Sequence, residues 1–281
     1  MKLIECPRDA MQGWHRLIST DEKVAYLNAL LKVGFDTLDC GSFVSPKTIP
    51  QMADTAEVVS RLDMTGTKSK LLTIVANQRG AEEAVVFDEI AYLGYPFSIS
   101  ETFQLRNTNK TILASLELVD TLQELCIKNS KQLVVYISMG FGNPYGDHYD
   151  ASIALRWVDE LVQRDILTIS LADTVGVATP AIITKLFSTL IPAYPAVEFG
   201  AHFHSAPHNW EEKVAAAYDQ GCRRFDSAMR GIGGCPMAHN ELVGNLATER
   251  LLDFSVERHE QLGLDITELW AAQEIADRIF Y

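Results

Sequence analysis

The sequence is short of positive charge. Its 281 residues include 24 Lys and Arg against 37 Asp and Glu, which gives a formal net charge of −13. Nucleic acids and anionic membrane surfaces are bound by clustered Lys and Arg. This composition therefore argues against either as the main partner, and it stays compatible with a small anionic ligand held by a few local cations.

Long apolar runs, linkers and paired cysteines are also lacking. No stretch approaches the roughly 18 apolar residues of a membrane helix, and "MKLIECPRDA" at 1–10 predicts a first strand rather than a signal peptide. The five cysteines are odd in number, scattered and without CxxC spacing, as is typical of a reduced, cytoplasmic protein. No repeat or low-complexity tract divides the chain, so we expect a single catalytic domain over residues 1–281.

Short β-rich runs alternate with amphipathic helical runs along the whole chain. Most of these runs are apolar on both faces, as strands buried in a parallel sheet are. Eight such strands with helices between them predict a (β/α)₈ TIM barrel of the α/β class, closed by a C-terminal helix at 265–281. An open doubly wound sheet is the alternative, but no GxGxxG follows the first strand. The predicted strands are 2–6, 35–40, 70–77, 90–100, 132–139, 166–173, 196–204 and 223–229.

Two histidines stand one residue apart in "AHFH" at 201–204. Side chains alternate between the faces of a strand, so His202 and His204 point the same way. Such a pair can hold a metal ion, and two hydrogen-bonded structural histidines are the alternative. Closure of the barrel brings Asp9 next to these two histidines. One carboxylate and two imidazoles that leave coordination positions open suit an ion such as Mg²⁺ or Mn²⁺.

Active sites of such barrels lie at the C-terminal ends of the strands. Polar groups recur at those ends in this sequence. They include Arg8, Asp39, Ser42, Tyr136 and Asp173. After the last strand, the glycines of "GIGG" at 231–234 precede Cys235. Its thiol is either a general acid or base or an inert loop cysteine, since reactivity depends on its pKa.

Several segments together resemble one known family, the 3-hydroxy-3-methylglutaryl-CoA lyases within the metal-dependent lyase and condensing-enzyme barrels. The similarity runs over nearly the whole chain, and the segments follow the order of the family. They are "PRDAMQ" at 7–12, "GSFVSPKTIPQMAD" at 41–54, "SETFQLRNTNKT" at 100–111, "SLADTVGVATP" at 170–180, "HFH" at 202–204 and "GIGGCP…GNLATE" at 231–249.

The resemblance implies a ligand set for Mg²⁺ or Mn²⁺ and roles for several residues. The implied ligands are Asp9, His202, His204 and the amide oxygen of Asn245. The implied catalytic group comprises Arg8, which stabilises an enolate oxygen, Cys235, which takes part in proton transfer, Asp39 and His202. The implied substrate contacts are Ser42, Tyr136 and Asp173 at the acyl pocket, with Arg106 and Asn107 at coenzyme A.

The reaction implied by the resemblance is a retro-Claisen cleavage of 3-hydroxy-3-methylglutaryl-CoA to acetyl-CoA and acetoacetate, catalysed by a homodimer.

The sequence departs from the family near the site. Cys6 and Ala10 stand where glycines are usual, Asp39 where glutamate is usual and Ser205 where aspartate is usual, and the segment from Cys235 to Asn245 is one residue longer. These departures leave open which related acyl-CoA or hydroxy acid is the substrate. The alternatives are a condensing synthase or aldolase of the same barrel class, and a barrel that binds metal or acyl-CoA without turnover.

Overall fold

The computed structural model describes residues 1–233 and 243–281. Eight parallel strands close into a barrel in chain order, each hydrogen-bonded to its sequence neighbours and the last to the first. The predicted TIM barrel is thus confirmed. The strands are β1 (Lys2–Glu5), β2 (Thr37–Ser42), β3 (Lys70–Ile74), β4 (Ile90–Ser98), β5 (Gln132–Ser138), β6 (Thr168–Asp173), β7 (Glu198–Phe203) and β8 (Arg224–Ser227).

Helices follow the strands and surround the barrel, and the predicted closing helix is present as α11. The helices are α1 (Pro7–Gln12), α2 (Thr20–Val33), α3 (Thr55–Ser60), α4 (Gln78–Ala84), α5 (Glu101–Thr108), α6 (Ile112–Lys128), α7 (Ala151–Val162), α8 (Pro180–Ala193), α9 (Trp210–Tyr218), α10 (Thr248–Glu257) and α11 (Ile266–Phe280). Across the part of the chain that the structure describes, no helix is both long and apolar enough to cross a bilayer.

Local sequence explains where the helices begin and end. Helix α2 starts with a reciprocal capping box between Ser19 and Glu22 and ends at Gly34, whose φ of +85° suits glycine. Helix α1 starts at Pro7, whose fixed φ and missing N–H are tolerated at the first helical position. This abrupt start turns the chain directly after β1, so the two residues that follow Pro7 lie at the rim of the barrel.

The strand boundaries agree with the predicted ones within a few residues, and β2 shows the largest consequence. It was predicted at 35–40 but spans Thr37–Ser42, because pairing with β3 continues beyond a register shift between Asp39 and Gly41. The bulge extends the strand to Ser42. As a result, both Asp39 and Ser42 lie at the C-terminal rim.

One fully buried carboxylate belongs to the scaffold rather than to the rim. Glu5 accepts hydrogen bonds from the Met229 backbone N–H at 2.8 Å and from the Thr248 hydroxyl at 2.5 Å. It therefore ties the end of β1 to the chain after β8 and to the start of α10. Burial raises the pKa of Glu5 to about 8, and the two hydrogen bonds offset only part of that effect.

The stability of the fold should depend on pH through Glu5. Since its pKa is raised from an ordinary value of 4.5, the stabilisation is complete below that pH and is lost as pH rises toward 8. We expect the free energy of unfolding to fall between pH 5 and pH 8, and Glu5→Gln to flatten that decline. Urea unfolding across this range measures both. Parallel curves for Glu5→Gln and wild type would contradict the assignment, and Glu117→Gln on the exposed face of α6 is the control.

Candidate active site at the C-terminal rim of the barrel

A cavity of about 530 Å³ opens at the C-terminal ends of the strands. Most residues predicted from the sequence line it together, although they come from five separate parts of the chain. Those lining it are Arg8, Asp9, Asp39, Ser42, Arg106, Asn107, Tyr136, His202 and His204. Asn245 lies beside Asp9, Asp173 is outside the lining, and Cys235 falls outside the described residues.

The two histidines at the end of β7, His202 within it and His204 directly after it, point their Nε2 atoms toward each other. Their Nε2 atoms are 3.3 Å apart. The Nδ1 atom of His202 lies 3.0 Å from the Asp226 carboxylate, and that of His204 lies 3.1 Å from the Val243 carbonyl. Acceptors at both Nδ1 atoms fix the proton there and leave both Nε2 lone pairs facing each other, which is the arrangement of imidazoles that bind a metal.

Asp9 completes a trio with the histidines. One carboxylate oxygen and one nitrogen of each ring lie within 4.8 Å of one another. Burial raises the pKa of Asp9, but the Arg8 guanidinium and the two histidines outweigh it and hold that pKa below its ordinary value. An ionised carboxylate beside two facing imidazole nitrogens fits a divalent cation.

Polar neighbours fix the orientation of Asp9. Its Oδ1 accepts hydrogen bonds from Arg8 at 3.0 Å and from Gln12 at 2.5 Å. Its Oδ2 accepts one from Nδ2 of Asn245 at 2.7 Å, and Asn245 also donates to the Ile232 carbonyl. Asn245 thus lies beside the trio with its amide nitrogen toward Asp9, and ligation by its amide oxygen stays a prediction.

The two histidines differ in basicity. Burial lowers the pKa of both. At His202 the hydrogen bond and charge of Asp226 outweigh burial, so its pKa is raised. At His204 the neighbouring His202 adds to burial, so its pKa is lowered. His204 is therefore the ring that stays neutral at lower pH.

Arg8 joins two buried carboxylates. Its Nε and Nη2 both donate to Oδ2 of Asp39, at 2.9 and 2.5 Å, while Nη1 donates to Asp9. Oδ1 of Asp39 is buried without a hydrogen-bond partner among residues 1–233 and 243–281. Burial raises the pKa of Asp39 to about 6 although Arg8 lowers it. The pair places a fixed cation and a titratable carboxylate on the cavity wall.

The cavity lining also includes the predicted substrate contacts Ser42, Tyr136, Arg106 and Asn107. Tyr136 sets its ring edge against His202, with ring centroids 5.9 Å apart and an interplanar angle of 81°. The guanidinium of Arg106 lies 4.8 Å from the ring centroid of Tyr145. Lys110 also lines the cavity and was not predicted from the sequence, although it follows Arg106 and Asn107 in the same motif.

Asp173 occupies a different place from the predicted one. Its side chain is fully buried, pairs with Nζ of Lys213 at 2.7 Å and accepts the Ala178 N–H at 3.0 Å. Lys213 also donates to the His204 carbonyl at 3.0 Å. The structure therefore places Asp173, at the end of β6, outside the cavity lining, where it pairs with the lysine that holds the His204 backbone. The reason is capture of its carboxylate by a lysine from α9, which a strand-end position alone does not reveal.

Asp226 is the other residue that the sequence analysis missed. It lies on β8 directly opposite His202 in the parallel register and is buried. The available signal was the alternation in "RRFDSAM", which puts Arg224 and Asp226 on one face of the strand.

These features define a TIM barrel with a candidate divalent-metal site at its rim. The HMGL-like family model matches residues 3–276. The chain belongs to the HMGL-like family.

Several similar proteins are hydroxymethylglutaryl-CoA lyases. The enzyme of Bacillus subtilis is 31% identical over 252 residues, which cover 88% of this chain and 81% of that protein. The 3-hydroxy-3-isohexenylglutaryl-CoA/hydroxymethylglutaryl-CoA lyase of Pseudomonas aeruginosa is 32% identical over 256 residues, 90% of this chain and 83% of that protein. The solved HMG-CoA lyase of Acinetobacter baumannii, in complex with coenzyme A and 3-methylmalate, superimposes with a TM-score of 0.91 at 28% identity, over 100% of this chain and 91% of that one.

Proposed function

We propose that the protein is a divalent-metal-dependent carbon–carbon lyase that cleaves 3-hydroxy-3-methylglutaryl-CoA, or a close 3-hydroxyacyl-CoA, to acetyl-CoA and acetoacetate. The observation that carries this proposal is the position of Arg8 on the cavity wall, between Asp39 and the Asp9 of the trio. The cation of Arg8, the titratable carboxylate of Asp39 and the proposed metal ligands therefore lie next to one another. The activity of the relatives and the ligands of the Acinetobacter enzyme support the substrate class.

Mg²⁺ or Mn²⁺ is the proposed cofactor, held by Asp9, His202 and His204 with the amide of Asn245. When bound, such an ion polarises substrate oxygens as a Lewis acid. The neutral Nε2 atoms and the ionised Asp9 are the donors that the site offers. Hydrogen bonds from Gln12, Arg8 and Asn245 hold the Asp9 carboxylate in place beside the two histidines.

The side chains have complementary roles in the cleavage. Asp39 takes the proton of the tertiary hydroxyl, the C–C bond breaks, and its electron pair passes to the departing acetyl-CoA as an enolate. Arg8 pairs with the enolate oxygen, and a fixed donor aimed at developing charge is worth about 3 kcal/mol. Cys235 then protonates the enolate carbon, which is the role that the resemblance implies. Ser42 and Tyr136 contact the acyl group, and Arg106 and Asn107 contact coenzyme A at the mouth.

Protonation of Asp39 should lower the rate of the reaction at acidic pH. Because the pKa of Asp39 is raised to about 6 and the base must be ionised, kcat/KM should fall as pH drops below about 6. Asp39→Asn should lower kcat by about a hundredfold or more. Initial rates between pH 5 and pH 8 measure the profile, and circular dichroism at pH 5 checks that the fold persists. A flat profile to pH 5 would remove Asp39 as the base.

Product analysis with 3-hydroxy-3-methylglutaryl-CoA tests the proposal. Acetoacetate and acetyl-CoA should appear in equal amounts. A condensing synthase would instead release free coenzyme A thiol from acetyl-CoA and a 2-keto acid. A non-catalytic barrel would bind metal and acyl-CoA in a calorimeter without forming product.

The remaining proposals concern the context of the enzyme. Its products would place it in leucine degradation or ketone-body formation. We propose a cytoplasmic location, supported by four free buried cysteines among the described residues, Cys6, Cys40, Cys126 and Cys222. We also propose one catalytic domain over residues 1–281 and a homodimer, as the resemblance implies, and sedimentation measures the oligomeric state.

A further inference from the structure

A second set of metal-binding side chains lies on the other side of His202. One ligand atom each from Cys6, His202 and Asp226 lies within 4.8 Å of the other two. We call these three residues the lower trio, and Asp9, His202 and His204 the upper trio. Because Nδ1 of His202 faces Asp226 at 3.0 Å and its Nε2 faces His204 at 3.3 Å, we assign Nδ1 to the lower trio and Nε2 to the upper trio.

The contacts of the lower trio leave room for a ligand. Oδ1 of Asp226 is buried and has no hydrogen-bond partner in the described chain. The Cys6 thiol makes one weak contact, to the Ile4 carbonyl at 3.7 Å. Zinc binds sulfur at about 2.3 Å and nitrogen at about 2.0 Å. Atoms that already lie within 4.8 Å of one another need only small shifts to meet around such an ion.

Charge and access also favour a cation there. The carboxylates of Asp226, Asp39 and Asp9 all act electrostatically on Cys6, and the Arg8 cation opposes them. Asp226 and His202 line the rim cavity, so the cavity reaches the lower trio although Cys6 itself is buried. A thiolate selects soft ions such as Zn²⁺ over Mg²⁺. The two trios therefore differ in the metals that they prefer.

We infer that Cys6, His202 and Asp226 form a second site for a thiophilic divalent ion such as Zn²⁺ or Cd²⁺, and that its occupation inhibits the enzyme. On binding, the Cys6 thiol releases its proton to solvent, and the His202 proton moves from Nδ1 to Nε2. The ring then offers no lone pair to the upper trio. Occupation of the two trios is therefore mutually exclusive. The inhibition rests on the proposed function, whereas the binding does not.

Cadmium titration of the purified protein tests the site without any assay of activity. We expect a thiolate-to-cadmium ultraviolet absorption band that saturates at one equivalent. Cys6→Ala should abolish the band, and Cys6→Ser provides the same test if the alanine variant does not fold. Cys40→Ala is the matched control, because Cys40 is an equally buried strand cysteine outside the lower trio, and it should keep the band.

Two results would overturn the inference, namely the absence of a band in the wild type and a band that persists in Cys6→Ala. If that persistent band is lost in Cys235→Ala, the ion is bound by the Cys235 thiol instead. Asp226→Asn should weaken the affinity for cadmium about tenfold or more.

Inhibition is measured separately on the Mg²⁺-loaded enzyme. We expect Cys6→Ala to keep its basal turnover and to raise the Cd²⁺ concentration for half-inhibition about tenfold or more. Equal sensitivity of wild type and Cys6→Ala would contradict the inhibitory role. If 3-hydroxy-3-methylglutaryl-CoA is not cleaved at all, the proposed function fails while the absorption band still decides the metal site.

Discussion

Replacing Arg8 by alanine is expected to lower kcat more than a hundredfold. Arg8 is the cation on the cavity wall that can pair with the enolate oxygen, and loss of one such donor typically costs a factor of about 10² to 10³. Arg8→Lys should keep the charge but lose the fork that makes two hydrogen bonds to Asp39, so its kcat should fall between wild type and alanine. Steady-state kinetics with saturating Mg²⁺ measures both variants.

The Arg8 variants need a test of folding, because alanine leaves the buried carboxylates of Asp39 and Asp9 without their cation. Circular dichroism and thermal unfolding separate lost chemistry from lost structure. Arg61→Ala is the matched control, since Arg61 is an exposed arginine that also bridges two acidic side chains, and it should keep full turnover. Near-normal turnover in a folded Arg8→Ala enzyme would remove Arg8 from the mechanism.

Replacing His204 by alanine is expected to abolish tight metal binding and to lower turnover about a thousandfold. The variant removes one of the two facing Nε2 atoms, and a Lewis acid contributes several kcal/mol to catalysis, at 1.36 kcal/mol per tenfold in rate. Calorimetry with Mn²⁺ measures the binding, and the acetoacetate assay measures the turnover.

His208→Ala is the control for that variant. His208 is exposed and lies four residues further along the chain, outside the upper trio, so its loss should change neither Mn²⁺ affinity nor turnover. Wild-type Mn²⁺ affinity in His204→Ala would show that the upper trio is not the metal site. Chelation of the wild-type enzyme should reproduce the His204→Ala defect, and added Mn²⁺ should restore activity to the wild type alone.

The barrel and most of the rim were predictable because they depend on local patterns. Strand alternation put His202 and His204 on one face, and the rule that active sites lie at strand ends selected Arg8, Asp9 and Asp39. Barrel closure then brings these residues together from distant parts of the sequence, and all five line one cavity.

The residues that support the site were not predictable in the same way. Asp226 acts through a contact with His202 on the neighbouring strand, and Lys213 reaches from α9 to Asp173 and to the His204 backbone. Such contacts depend on where the ends of long side chains lie after folding. The periodic pattern of apolar and polar residues in the sequence does not predict this. Asp173 was placed in the acyl pocket for this reason, since a lone strand-end carboxylate has the same pattern whether it faces substrate or a lysine.

The most direct test of the account is acetoacetate release from 3-hydroxy-3-methylglutaryl-CoA by the purified protein, with Mg²⁺ or Mn²⁺ and with excess chelator. We predict release that requires the ion, stops with chelator and returns when the ion is added back. Release that is unaffected by chelator would contradict the role of the upper trio. Metal binding with no release would contradict the proposed substrate and leave the fold and the metal site in place.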